Sequence, residues 1–278
     1  MILQREQITT AEVFDWRGLH LLHAQPSTCS QKVRLILGEL DLDWQSRPVN
    51  LMRHENHSPW FLGINPRGVV PVLVHDGVVH VESNDIIRYL DDRFAKPGKS
   101  YFFPGDSAQA QEAQALLDLE DSLHNDLRLL TIRFGPLSIK NEKQIRAQED
   151  NGEYDEARAK EVKWWREKQQ NGITETETRE SAQRYRDTFT TLDDRLRSGP
   201  WLMGECISIA DICWYVNLQR LLRLGYPLSR HERLADLFNR LSARPAFRAD
   251  AAHGGSRAVS VVFGLTRLKN RLGGGTLS

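Results

Sequence analysis

The 278-residue chain is poor in cysteine and methionine and carries no net charge. Its three cysteines, Cys29, Cys206 and Cys213, are too few and too scattered for a disulfide framework or a metal site, and they suit a reducing compartment. Lysine plus arginine balances aspartate plus glutamate at 37 each, so no long-range field recruits nucleic acid or an anionic membrane. No stretch approaches the roughly 20 apolar residues of a membrane span. Residues 1–18 carry Arg5, Glu6, Glu12 and Asp15 where a secretory signal needs an apolar run. These absences predict a soluble, cytoplasmic protein with no resident metal, no nucleic-acid partner and no membrane span. The length suits one large domain or two modest ones with a real core.

What is present centres on residues 64–90, INPRGVVPVLVHDGVVHVESNDIIRYL. A short apolar run at 72–74 meets Asp76-Gly77, a dipeptide suited to a type I′ hairpin turn, and 78–81 is the return strand. Glu82-Ser83 then opens a helix whose Ile86, Ile87 and Leu90 form a stripe at helical spacing. Pro71 stands before the first strand, where it removes no ladder donor. A cis bond there would turn the Val70 backbone outward as an edge for a peptide-like ligand. Ser83 is a good N-cap, and the free N–H groups of the turn it starts suit a carboxylate. Taken singly, the proline is an ordinary turn residue and the serine an ordinary cap.

In that order, however, the residues resemble the glutathione-binding half of the glutathione S-transferases. The family patterns N-P-x-G-x-V-P-x-L and E-S-x-x-I-x-x-Y-L read here as residues 65–73 and 82–90. The resemblance covers about 19–250 and implies an α/β thioredoxin-like N-terminal domain followed by an all-α helical domain. Upstream, 19–23 reads as a strand; Val33, Ile36, Leu37 and Leu40 as an amphipathic helix; 44–49 as a second strand; and 59–62 as a short helix. The expected divisions are an extension at 1–18, a glutathione-binding domain at 19–95, a linker at 96–106, a helical domain at 107–253 and a tail at 254–278.

Within the helical part, Leu116, Leu119, Leu123, Leu127, Leu130 and Phe134 predict one long helix. A charged insertion at about 136–182 reads as a solvated protrusion, with Trp164-Trp165 either packing it against the body or roofing a substrate pocket. Ser208 and Asp211 form a capping-box variant with a folding role. The tail has an apolar patch at 258–263, which suits a helix folding back on the body, with an interfacial membrane helix as the alternative. Within the family, SQKVRL, SPWF and VPVLVH are similar to the bacterial β-aryl etherases and to the ganglioside-induced differentiation-associated proteins.

The resemblance implies glutathione as co-substrate, a small hydrophobic, aromatic electrophile as its partner, a detoxifying transferase or lyase activity, and a homodimer. A thiolate near the start of the first helix meets free N–H groups and the positive end of the dipole, which lowers its pKa. A hydroxyl donating to the sulfur adds to this. Ser27 is the first candidate for that donor and Ser30 the second, with Thr28 and Cys29 behind; the same residues are also a plausible helix cap. By the resemblance Val70 and Pro71 present the cysteinyl edge, and Glu82 and Ser83 hold the γ-glutamyl end. Arg53, His54 or His57 meets the glycyl carboxylate, and His124 and Arg128 line the electrophile pocket. His54-x-x-His57 lacks a third metal ligand and reads as a loop pair. The competing reading is a non-catalytic glutathione-binding sensor or scaffold.

Overall fold

The computed structural model describes residues 1–103, 107–135, 137–150, 156–254, 263–265 and 277. In chain order the first elements are β1 (Leu19–His23), α1 (Thr28–Glu39), β2 (Trp44–Pro48), α2 (Pro59–Leu62), β3 (Val72–His75), β4 (Val78–His80) and α3 (Ser83–Phe94). Then come α4 (Ala108–Ser122), α5 (His124–Phe134), α6 (Glu142–Asp150), α7 (Glu156–Asn171) and α8 (Glu175–Arg195). The last are α9 (Ile209–Leu224), α10 (Glu232–Ser242) and α11 (Pro245–Gly254). They form two units, Met1–Arg93 with Ile139–Gly172, and Phe94–Ser138 with Ile173–Ser278.

In the first unit the strand order is β2-β1-β3-β4, with β1 parallel to β2 and the other two pairings antiparallel. This is the expected βαβ–ββα thioredoxin-like arrangement. All five residues of β1 are buried, as a central strand covered on both faces requires. Val33, Ile36 and Leu37 of α1 and Ile86, Ile87 and Leu90 of α3 are fully buried. The β3–β4 turn has left-handed Asp76 (φ 48°) and Gly77 (φ 81°), the backbone that a two-residue type I′ hairpin demands. A side chain at Gly77 would stand 2.6 Å from the Phe14 carbonyl oxygen, so glycine is also required by close approach.

Residues 1–18, legible in the sequence only as an extension, are woven into their own unit. Leu3 N–H donates to the Val79 carbonyl at 3.0 Å and Val81 N–H to the Met1 carbonyl at 2.9 Å. The arm therefore covers part of the β4 edge, which would otherwise present unpaired backbone. Ile8 and Val13 are buried in a core cluster with Phe61, Ile64, Val72 and Val74.

The charged insertion departs from the expected protrusion. Helices α6 and α7 group with the first unit rather than with the helical one. Their charges pair with one another: Arg166 reaches Glu142 at 2.7 Å and Glu149 at 2.6 Å. Ile145, Val162 and Trp165 are buried, and the Lys140 ammonium lies 4.8 Å from the Trp165 ring centre. A mixed-sign segment can thus fold as a hairpin whose charges satisfy each other, a possibility composition alone does not reveal.

In the second unit the single helix expected over 116–134 is two, α4 and α5. They part at Leu123 (φ −88°, ψ 4°), whose N–H is shared between the Leu119 and Glu120 carbonyls. The leucine stripe runs through the break because both helices bury the same face, which hides the joint from periodicity. Buried Asn217 of α9 donates to Glu120 at 2.6 Å and accepts from the Tyr185 hydroxyl at 2.7 Å, tying α4, α8 and α9. Asp211 is fully buried and accepts from Ser208 N–H (2.8 Å), the Ser208 hydroxyl (2.9 Å) and Leu202 N–H (2.8 Å). Burial lifts its carboxyl to about 6, against the pull of these hydrogen bonds. The segments expected to form the fold-back helix of the tail, 255–262 and 266–276, lie outside the described residues.

Asp211→Ala removes a cap and strands the Leu202 and Ser208 donors in a buried site. The expected loss is about 2–4 kcal/mol, read as a lowered thermal midpoint; unchanged stability would show that the cap does not hold α9.

Candidate active site

Two strand pairings bring the chemistry-bearing loops together. Leu22 of β1 pairs with Val72 of β3, and Leu73 pairs with His80 of β4. The end of β1, the start of β3 and the end of β4 consequently share one end of the sheet. From there issue the loop carrying Ser27, the turn carrying Val70-Pro71 and the start of α3 with Glu82 and Ser83.

Ser27 is the N-cap of α1, and its Oγ accepts the Ser30 N–H at 3.2 Å. That bond uses an oxygen lone pair, so the hydroxyl proton is left to donate elsewhere. Ser27, Thr28 and Cys29 are half-buried, whereas Ser30 is fully buried and its Oγ accepts the Ala24 N–H at 3.3 Å. Ser30 thus ties the loop from within. Two buried cations of α1 fix the surroundings: Arg34 donates to the Ala24 carbonyl at 3.4 Å, and Lys32 to the Asn84 side chain at 3.5 Å.

The Val70–Pro71 peptide bond is cis. Val70 makes no backbone hydrogen bond among the described residues, so its edge is open to a ligand backbone. The loop before it is held from several sides. Buried Asn65 donates to the Val69 carbonyl at 2.9 Å and accepts from Arg67 N–H at 3.2 Å. Asn56 donates to the Gly68 carbonyl at 2.8 Å, and Arg158 of α7 to the Pro66 carbonyl at 3.2 Å. Arg67 forms an ion pair with Glu82. Glu82 is a non-glycine residue in the left-handed region (φ 65°), a conformation costing about 1–3 kcal/mol and concentrated at ligand clamps. Ser83 follows as the first residue of α3, and its hydroxyl has no partner among the described residues.

His54, also left-handed at φ 57°, is half-buried, and its Nε2 lies 2.7 Å from the side-chain nitrogen of Gln144 in α6. His57 lies beside Gly68, where an added side-chain carbon would stand 3.1 Å from its Nδ1. That Nδ1 is buried without a partner. Burial, with Lys140, His54 and Arg158 nearby and only Glu161 opposing, lowers His57 to about 4. Arg53 is exposed. The rings of His54 and His57 are 6.5 Å apart between centres, and no group of three metal-binding side chains occurs among the described residues. His124 and Arg128 belong to α5 in the second unit, where the Arg128 guanidinium meets His124 Nε2 at 3.4 Å. Gln144 and Arg158 escape sequence reasoning because each contact spans about 90 residues and leaves no local pattern.

A thioredoxin-like unit with an open backbone edge beside a helix start, joined to an all-helical unit, defines the glutathione-transferase class of fold. Residues 26–93 match the family model of the glutathione S-transferase N-terminal domain, and 166–249 that of the C-terminal domain. The chain belongs to the glutathione S-transferase family. It is similar to the protein LigF of Sphingobium sp., 29% identical over 83% of this chain and 91% of LigF. The crystal structure of that β-etherase superposes with a TM-score of 0.72 at 27% identity, over 85% of this chain and 99% of the other. A probable maleylacetoacetate isomerase of Vibrio cholerae is 27% identical over 80% of this chain and 89% of its own. A 77-residue stretch, 28% of this chain and 21% of the other, is 37% identical to the human ganglioside-induced differentiation-associated protein 1-like 1.

Because His57 is held neutral in the fold and titrates near 6.5 when unfolded, its contribution is complete above pH 6.5 and is lost as the pH falls toward 4. Discounted for partial exposure, the loss is on the order of 1–2 kcal/mol. Denaturant titrations of the wild type and His57→Gln between pH 7.5 and 4.5 should diverge by that amount, the variant losing less; parallel curves would contradict the assignment.

Proposed function

We propose that the chain is a glutathione-dependent transferase or lyase whose site lies at this sheet end, with Ser27 as thiol activator. The carrying observation is that one end of the sheet brings together an open backbone edge at Val70, a hydroxyl at the start of α3 with no partner among the described residues, and the Ser27 hydroxyl at the start of α1, whose oxygen accepts the Ser30 N–H and whose proton is left to donate. Glutathione lies along the first two, with its cysteinyl backbone on Val70 and its γ-glutamyl carboxylate at Glu82-Ser83 and the α3 amides. Its sulfur then meets Ser27 and the N-terminus of α1. The Ser27 hydroxyl donates to the sulfur, and with the helix dipole it favours the thiolate. The thiolate attacks an electrophilic carbon; a C–S bond forms while the bond to the leaving group breaks, and the leaving group departs with the electron pair. Similarity to a β-etherase favours aryl ether substrates, with a phenolate as leaving group that takes up a proton from solvent. His124 and Arg128 are assigned to the electrophile side, and a cytoplasmic homodimer acting in detoxification completes the reading.

Ser27→Ala should raise the pKa of bound glutathione, followed by thiolate absorbance, by about one to two units, and lower turnover at neutral pH about 10- to 100-fold. Ser30→Ala should chiefly lower the melting temperature. Loss of the thiolate signal in Ser30→Ala alone would transfer the role to Ser30. Glutathione binding without turnover on a panel of aryl ethers, aryl halides and maleyl compounds would instead make the chain a sensor or scaffold.

A further inference from the structure

Besides the Arg158 bond to the Pro66 carbonyl, the α6–α7 insertion meets the first unit at the side chain of His54. Gln144 sits in the first turn of α6, and its oxygen accepts the Asn141 N–H at 2.7 Å. This fixes which end of the amide is which. The NH2 end therefore faces His54 Nε2, 2.7 Å away, and an amide nitrogen can only donate. His54 Nε2 must accept, so the neutral ring carries its proton on Nδ1. No described residue takes that N–H, and His54 is half-buried on a left-handed backbone. Two neighbours on the same short segment, Asn56 and His57, touch Gly68 in the loop leading to Val70.

A tripeptide paired with Val70 and anchored by one carboxylate at Ser83 has a second carboxylate at its other end. We propose that Gln144 is a positioning residue for that carboxylate: it holds His54 in the tautomer that offers Nδ1–H, and so makes the insertion a determinant of selectivity for glutathione over its glycine-free precursor. The inference rests on the thiol-peptide site proposed above and adds to it a selectivity element drawn from a segment that otherwise reads as charged surface. Were the other tautomer present, a lone pair would face the carboxylate, and attraction would become repulsion.

The test compares calorimetric binding of glutathione and γ-glutamylcysteine to the full chain. A hydrogen bond to a charged group corresponds to about tenfold in affinity, so the wild type should prefer glutathione by about that factor. Gln144→Met should bring the two ligands to within about threefold by weakening glutathione alone. His54→Ala should do the same, and the double variant should lose no more than either single one, since the two residues act as a unit. A structural role would weaken both ligands together. Equal weakening of both ligands, an undiminished preference in Gln144→Met, or additive losses in the double variant overturns the proposal. A wild type that binds both ligands equally also overturns it while sparing the thiol-peptide site; one that binds neither ligand removes the site itself.

Discussion

The pairing of Leu22 with Val72 is the constraint on which the candidate site depends. An antiparallel register places the end of one strand against the start of its partner, and a shift of one residue would also turn every buried side chain to the opposite face. With β1 buried throughout, that shift is strongly disfavoured. The register delivers the Ser27 loop to the Val70 turn, and the β3–β4 pairing brings in the start of α3. A site assembled from three loops is thereby set by the core, not by the loops themselves.

Around that core the chain spends polar side chains on holding irregular backbone. Asn65 and Asn56 bind carbonyls of the loop before Pro71, Ser30 binds the loop before α1, and Arg67 secures Glu82 in its left-handed conformation. Buried amides and hydroxyls without partners would be costly, so these loops are ordered by pairing. Among the described residues the Val70 backbone and the Ser83 hydroxyl stay unpaired beside these ordered loops, and the proposed peptide, with its own donors and acceptors, is assigned there.

Much of this was legible in the sequence, for identifiable reasons. Strand β1 and helix α2 fell at 19–23 and 59–62, where the sequence placed them, and the hairpin where Asp76-Gly77 demands it, because each is a local matter of backbone preference. Ser208 with Asp211 announced α9 in the same way. Three features were not legible. The break at Leu123 lies inside an uninterrupted apolar stripe. The arm over the β4 edge depends on pairing across nearly 80 residues. The docking of α6–α7 onto the first unit rests on Gln144 and Arg158, which are chemically ordinary until the fold sets them against His54 and Pro66. For the candidate site the sequence offered residue types only; the difference between half-buried Ser27 and enclosed Ser30 needed three dimensions.

The most direct measurement is a crystal structure of the protein with reduced glutathione. The cysteinyl backbone should be paired with Val70 and the sulfur within hydrogen-bonding distance of Ser27 Oγ. Glutathione bound elsewhere, or a sulfur turned away from the start of α1, would contradict it.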